Sequence, residues 1–173
     1  MVVESVAKGG SRLHQVIDQL KRFKSTNGDD IVDKICISVG TNDIRYCIHV
    51  WHLRAKFKYL CSLIEELYPT SKVFFQLLIP LPCINKNDWH TNSNVLDFNR
   101  LITNECVFRR FHILDAFGVF CTPYRDLSSP ELRNPRLFVG SNIHPSESKG
   151  MGILAKLYLR ALHSKYFDPF TFQ

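Results

Sequence analysis

Ile35-Cys36-Ile37-Ser38-Val39-Gly40-Thr41-Asn42-Asp43 is the stretch that decides how this chain folds. Its first five residues read as a strand buried on both faces, the habit of strands inside a parallel sheet. Gly40 ends the run abruptly, and Thr41-Asn42-Asp43 then sets an amide and a carboxylate at the strand's carboxyl end. Two readings of that turn stay open on these residues alone. Asn42 can donate to a developing oxyanion, or the pair can close an Asx turn for purely local reasons.

Upstream, residues 2–6 are β-branched and apolar enough for a short strand, and Gly9-Gly10-Ser11 follows as a turn in which Ser11 is expected to cap a helix. Leu13, Val16, Ile17 and Leu20 recur at helical spacing, with Lys21, Arg22 and Lys24 near the C-terminal end, where cations suit the helix dipole. Asn27-Gly28-Asp29-Asp30 breaks that helix. Downstream of Asp43 a loop is expected. Leu53, Phe57, Leu60, Cys61, Ile64 and Tyr68 then mark a long helix stopped by Pro69, and residues 73–79 form a strand ended by Pro80-Leu81-Pro82. A polar stretch, 85–94, leads into a helix carrying Val95, Phe98, Leu101, Ile102 and Cys106 on one face, before a strand at 111–114. Residues 122–141 read as irregular. The final helix, about 148–163, presents Met151, Leu154, Leu157, Tyr158, Ala161 and Leu162.

Strands alternating with helices predict an α/β fold: a flavodoxin-like, three-layer α/β/α arrangement around a mostly parallel sheet. Ligands of such sheets bind in the crevice beyond the carboxyl ends of the strands, where Gly9-Gly10, Gly40 to Asp43 and Pro80-Leu81-Pro82 all fall. The 173 residues suit a single domain, 1–173, burying about two thirds of its unfolded surface. An apolar share of 45% with 22% charged residues suggests neither a disordered nor a membrane class, and no membrane partner is expected. The first residues lack the apolar core of a signal peptide, which predicts an intracellular, cytoplasmic or nuclear, location. Cys36, Cys47, Cys61, Cys83, Cys106 and Cys121 are widely spaced with no C-x-x-C pair; they read as reduced thiols, and neither a metal nor a cofactor is expected.

The net charge of +6 is scattered over several helices, so solvated helix faces account for most of it, with nucleic-acid binding carried as the alternative. Phe108-Arg109-Arg110-Phe111 could stack bases, yet core anchoring of both phenylalanines is the preferred reading. The aromatic end, Tyr166-Phe167-Asp168-Pro169-Phe170-Thr171-Phe172, is expected to fold back on the domain.

Near the far end, Asn142-Ile143-His144-Pro145-Ser146 puts His144 on a loop just before a helix. A lone histidine there is more often structural than catalytic. Gly9-Gly10, Gly40-Thr41-Asn42-Asp43 and His144-Pro145, in that order, resemble the second, third and fifth motif blocks of the SGNH (GDSL-type) hydrolases. The resemblance is nearest to SGNH-like domains found in retrotransposon open reading frames. It implies that Gly9, Gly10 and Asn42 form an oxyanion hole, that Gly40, Thr41 and Asp43 belong to the binding turn, and that His144 is the general base. A small ester or acylated compound is the implied substrate.

Two departures bear on activity. No Gly-Asp-Ser occurs in the 173 residues, and Ser141 stands three residues before His144, where the family places an Asp. The expectation is an SGNH-like domain without its first, nucleophile-bearing strand, and catalytically impaired. An active ester hydrolase whose serine comes from an upstream segment is the second reading, and a basic nucleic-acid-binding or scaffold module the third. A sheet missing its first strand would leave residues 2–6 and 34–39 as neighbours or with an open slot between them.

Overall fold

The computed structural model describes residue 5 and residues 8–28, 31–46, 48–81, 89–121, 134–139, 144–147 and 149–163. All but residue 5 of the strand expected at 2–6, the aromatic end and most of the irregular 122–141 segment lie outside the described residues.

Among the described residues three strands, β1 (Lys34–Ile37), β2 (Lys72–Gln76) and β3 (His112–Leu114), form a parallel sheet in the order β1-β2-β3. The register sets Cys36 beside Phe74 and Phe74 beside His112. Between the strands run α1 (Leu13–Asn27) before β1, α2 (Thr41–Arg45) and α3 (Val50–Leu67) before β2, and α4 (Trp89–Arg109) before β3. After β3 come α5 (Ala116–Phe120), a 3-10 turn (Pro135–Leu137) and α6 (Gly150–His163). The predicted α/β class with helices around a parallel sheet is what the chain adopts.

Strand side chains alternate between faces, and the two faces serve different helices. Ile35, Ile37, Val73, Phe75 and Ile113 point into the main core with the apolar stripes of α1, α3 and α4. Phe57 sits at its centre, edge-on to Phe75 and Phe98 at 5.2 and 5.4 Å between centroids, contacts that stabilise by about 1 kcal/mol each beyond burial. On the other face Phe74, Leu114 and Cys36 meet Tyr158 and Ala161 of α6. Tyr158 donates to Gln76 Oε1 at 2.6 Å, and Lys34 Nζ reaches the carbonyls of Ala161 and Leu162, satisfying the C-terminal end of α6.

Several expectations need correction. Residues 35–39 do not form a strand buried on both faces: Ile35 and Cys36 are half-buried and Ser38 is exposed, because β1 stands at the edge of the described sheet. The strand buried on both sides is β2, which stops at Gln76 rather than residue 79. Phe108 is 80% exposed; it follows Cys106 by two residues, which turns it about 200° away from the buried stripe of α4. Only Phe111 packs against the core. Met151 is likewise half-exposed on α6. Cys36, Cys61 and Cys106 are free thiols, with burial pushing Cys61 up to about 12. Among the described residues no helix is long and apolar enough to cross a membrane.

Candidate active site at the carboxyl ends of the strands

Residues 8–11 form a tight turn, closed by Ser11 N donating to the Lys8 carbonyl at 3.2 Å, with Gly10 at φ +80°. A type II turn requires left-handed backbone at its third position, and glycine adopts it without steric cost. Ser11 does not cap the helix that follows. Arg12 holds the N-cap position, Gln15 Oε1 accepts from Arg12 N at 2.9 Å, and Asp43 Oδ2 accepts from Leu13 N at 2.9 Å. A buried carboxylate brought in by tertiary packing takes the role assigned to the adjacent hydroxyl. Ser11 contributes its backbone instead, accepting from Asn42 Nδ2 at 3.0 Å.

Gly40 opens the other side of this clamp. Its φ is +111°, and a Cβ built there would lie 2.4 Å from a ring carbon of Phe98, so both backbone and packing exclude a side chain. Ile44 N donates to the Gly40 carbonyl at 3.0 Å, and the expected loop is the one-turn helix α2, not an Asx turn. Thr41 starts α2 and is half-buried. Asp43 is 2% exposed. Burial raises its pKa from the ordinary carboxyl value, opposed by the Leu13 N–H and by the charges of His14 and Arg12.

The Asn42 amide has two hydrogens, and among the described residues one is used, on Ser11. The other is available to an oxygen beyond the sheet. A donor of this kind is worth about 3 kcal/mol to a tetrahedral oxyanion when it is preorganised. The clamp on Ser11 supplies that preorganisation.

His144 belongs to a different construction. It lies on a strap between the 3-10 turn and α6, where Val139 N donates to the His144 carbonyl at 3.3 Å and Ser146 N to the Leu137 carbonyl at 2.7 Å. Ser146 Oγ accepts from Gly150 N at 3.0 Å at the start of α6. The His144 side chain is exposed. Gly9, Gly10, Ser11, Asn42 and Asp43 are thus gathered around the start of α1, while the backbone of His144 is held by residues 137–139. Ser141 and Asn142 lie outside the described residues. Asp115, which follows β3, is the N-cap of α5, its Oδ1 accepting from Gly118 N at 2.8 Å.

Two residues that shape the crevice went unread in the sequence. Asn99 accepts from Leu78 N at 2.7 Å and donates to the Leu78 carbonyl at 3.0 Å. Asn92 repeats the pattern with Leu81, at 2.9 and 3.0 Å. Each amide replaces a missing strand partner for the segment leaving β2, whose buried backbone groups need one. Their seven-residue spacing, on the face that carries Val95 and Phe98, was the available signal.

These elements define a class: a parallel α/β domain with the fold of GDSL-type acyl hydrolases, its Gly-x-Asn-Asp turn at the carboxyl end of a strand. Residues 2–148 match the GDSL-like Lipase/Acylhydrolase family, and the chain belongs to it. No curated protein matches it significantly. Among solved structures it is similar to a GDSL-like lipase from Bacteroides thetaiotaomicron, with a TM-score of 0.68 and 16% identity over 88% of this chain and 71% of that one. An acetylxylan esterase from Geobacillus stearothermophilus gives 0.67 and 14%, covering 92% of this chain and 71% of the other. At such identities the likeness is one of fold.

Proposed function

We propose that this chain, as it stands, is a catalytically impaired member of its family, keeping the oxyanion donors and the base of an ester hydrolase without their nucleophile. The observation that carries this reading is the absence of a Gly-Asp-Ser from the 173 residues. An oxyanion pocket with a base but no serine has nothing to acylate. Ser141 in place of the orienting Asp removes the negative charge that would stabilise an imidazolium, a loss on the order of 10⁴ in rate where the triad Asp has been replaced. What the site retains is binding: Asn42 and the Gly10 turn can hold the carbonyl of a small ester or acylated compound.

A second reading is an active esterase whose serine comes from a polypeptide outside these residues. The half-buried outer strand β1 favours it, since a further strand laid beside β1 would end next to Asn42. The resemblance to retroelement domains belongs to either reading. Hydrolysis of p-nitrophenyl acetate by this chain and by His144→Ala tests the first reading, and the same comparison with a serine-bearing segment supplied tests the second. The expected result is a background rate unchanged by the substitution; a clear loss of rate in His144→Ala overturns the impaired reading.

A further inference from the structure

The opposite end of the sheet holds a cavity of about 430 Å³ that the site above does not use. It lies where β2 and β3 begin, with Lys72 and His112, the first residues of those strands, in its lining. Its volume falls within the range of small-ligand pockets.

Three independent features of the lining point to an anion. The first is uncompensated charge. Arg109 is taken by Glu65 and Glu105, with Glu65 at the rim itself, whereas Lys72 and Arg110 have no acidic partner among the described residues. The second is an orphan donor: Tyr68 is 6% exposed, and its buried hydroxyl has no hydrogen-bond partner among the described residues. Leaving such a group unpaired costs stability. The third is backbone strain. Arg110 sits at φ +59°, directly after α4, in the left-handed position that helix ends ordinarily give to glycine. A long cation is held there at a steric cost that glycine would avoid.

Burial and the Lys72 charge hold the His112 imidazole below its ordinary pKa, so it faces the cavity neutral at pH 7. The C-terminal ends of α3 and α4 both abut the cavity and carry partial negative charge. Those dipoles repel an anion while Lys72 and Arg110 attract it; both effects grow with its charge, so where the two cations prevail the net attraction favours a divalent anion over a monovalent one.

We propose that this cavity binds a phosphomonoester dianion, with Lys72 and Arg110 pairing its charge and the Tyr68 hydroxyl donating to it. Guanidinium groups match phosphate oxygens geometrically, and the cavity leaves room for a small organic body beyond the phosphate. The site is separate from Asn42 and His144, and it does not depend on the chain's activity toward esters.

Two substitutions test it without endangering the fold. Arg110→Gly suits the backbone at φ +59°, and Tyr68→Phe deletes an unpaired hydroxyl, so both variants are expected to melt at or above the wild-type temperature. Titration calorimetry of the full chain with phenyl phosphate should give saturable binding, weakened about tenfold in Arg110→Gly and about threefold in Tyr68→Phe. Phenyl sulfate, a monoanion of similar shape, should bind more weakly. Inorganic phosphate run in parallel shows how much of the affinity the phosphate alone supplies. The proposal is overturned by absence of saturable phenyl phosphate binding, by binding that neither substitution weakens, or by binding confined to a single-stranded RNA oligonucleotide, which marks diffuse polyanion attraction instead.

Discussion

The two halves of the candidate active site are built in opposite ways. Asn42 and Asp43 reach across about thirty residues of chain to fasten α2 to the start of α1, with Asp43 fully enclosed. His144 stands exposed on a strap whose backbone contacts are with residues 137–139. The Asn42–Asp43 half is therefore a structural clamp, with its polar atoms on the backbone of Ser11 and Leu13, whereas the histidine side chain is exposed. A domain of this design can lose ester chemistry and keep its Gly-x-Asn-Asp turn, because stability alone retains that turn.

Three measurements break or sharpen this contrast. The largest effect is expected at Gly40, where alanine meets both a left-handed backbone and the buried Phe98 ring. Gly40→Ala should cost about 3–5 kcal/mol in urea unfolding, and a cost below about 1 kcal/mol would show that the turn is not held as rigidly as its packing implies.

Asp43 gives the next test, through pH. Its folded-state carboxyl binds a proton more tightly than the unfolded one, since burial outweighs the Leu13 hydrogen bond. Its contribution to stability is thus complete below about the ordinary value of 3.8 and declines as pH rises through the raised folded-state pKa. Asp43→Asn keeps an oxygen for Leu13 N and removes the titration. Stability of the wild type relative to Asp43→Asn should fall as pH is raised from about 4, and a difference that is flat or increases with pH contradicts a desolvated carboxylate.

The smallest effect belongs to the histidine half. His144→Ala should change unfolding free energy by no more than about 0.5 kcal/mol, as for an exposed side chain. A loss of 2 kcal/mol or more would place His144 in the structural frame and erase the contrast between the halves.

The βα alternation was legible because it rests on local periods: helical stripes such as Leu53, Phe57, Leu60 and Ile64, and runs such as residues 73–76, need no knowledge of neighbours. The site was half legible. Gly40 and Asn42 were picked out from a strand ending in Gly-x-Asn-Asp, but the burial of β1 was overestimated, since a sequence does not say which strand lies at an edge. Phe108 was misplaced for a related reason, lying beyond the buried stripe that ends at Cys106. Asn92 and Asn99 were hidden because an asparagine on an apolar helix face looks like an interruption until its backbone partner is known.

By itself, the sequence determined the α/β class, the glycine turns, the family's motif order and the absence of a Gly-Asp-Ser, all of which depend on residue identity and local spacing. Only the tertiary structure decided that Asp43 caps α1 in place of Ser11, that Asn42 spends one hydrogen on the Ser11 carbonyl, and that Lys72, Arg110 and Tyr68 surround one cavity. Such contacts join residues far apart in the chain. Packing of the intervening helices against the sheet sets their distances, and no local preference encodes them.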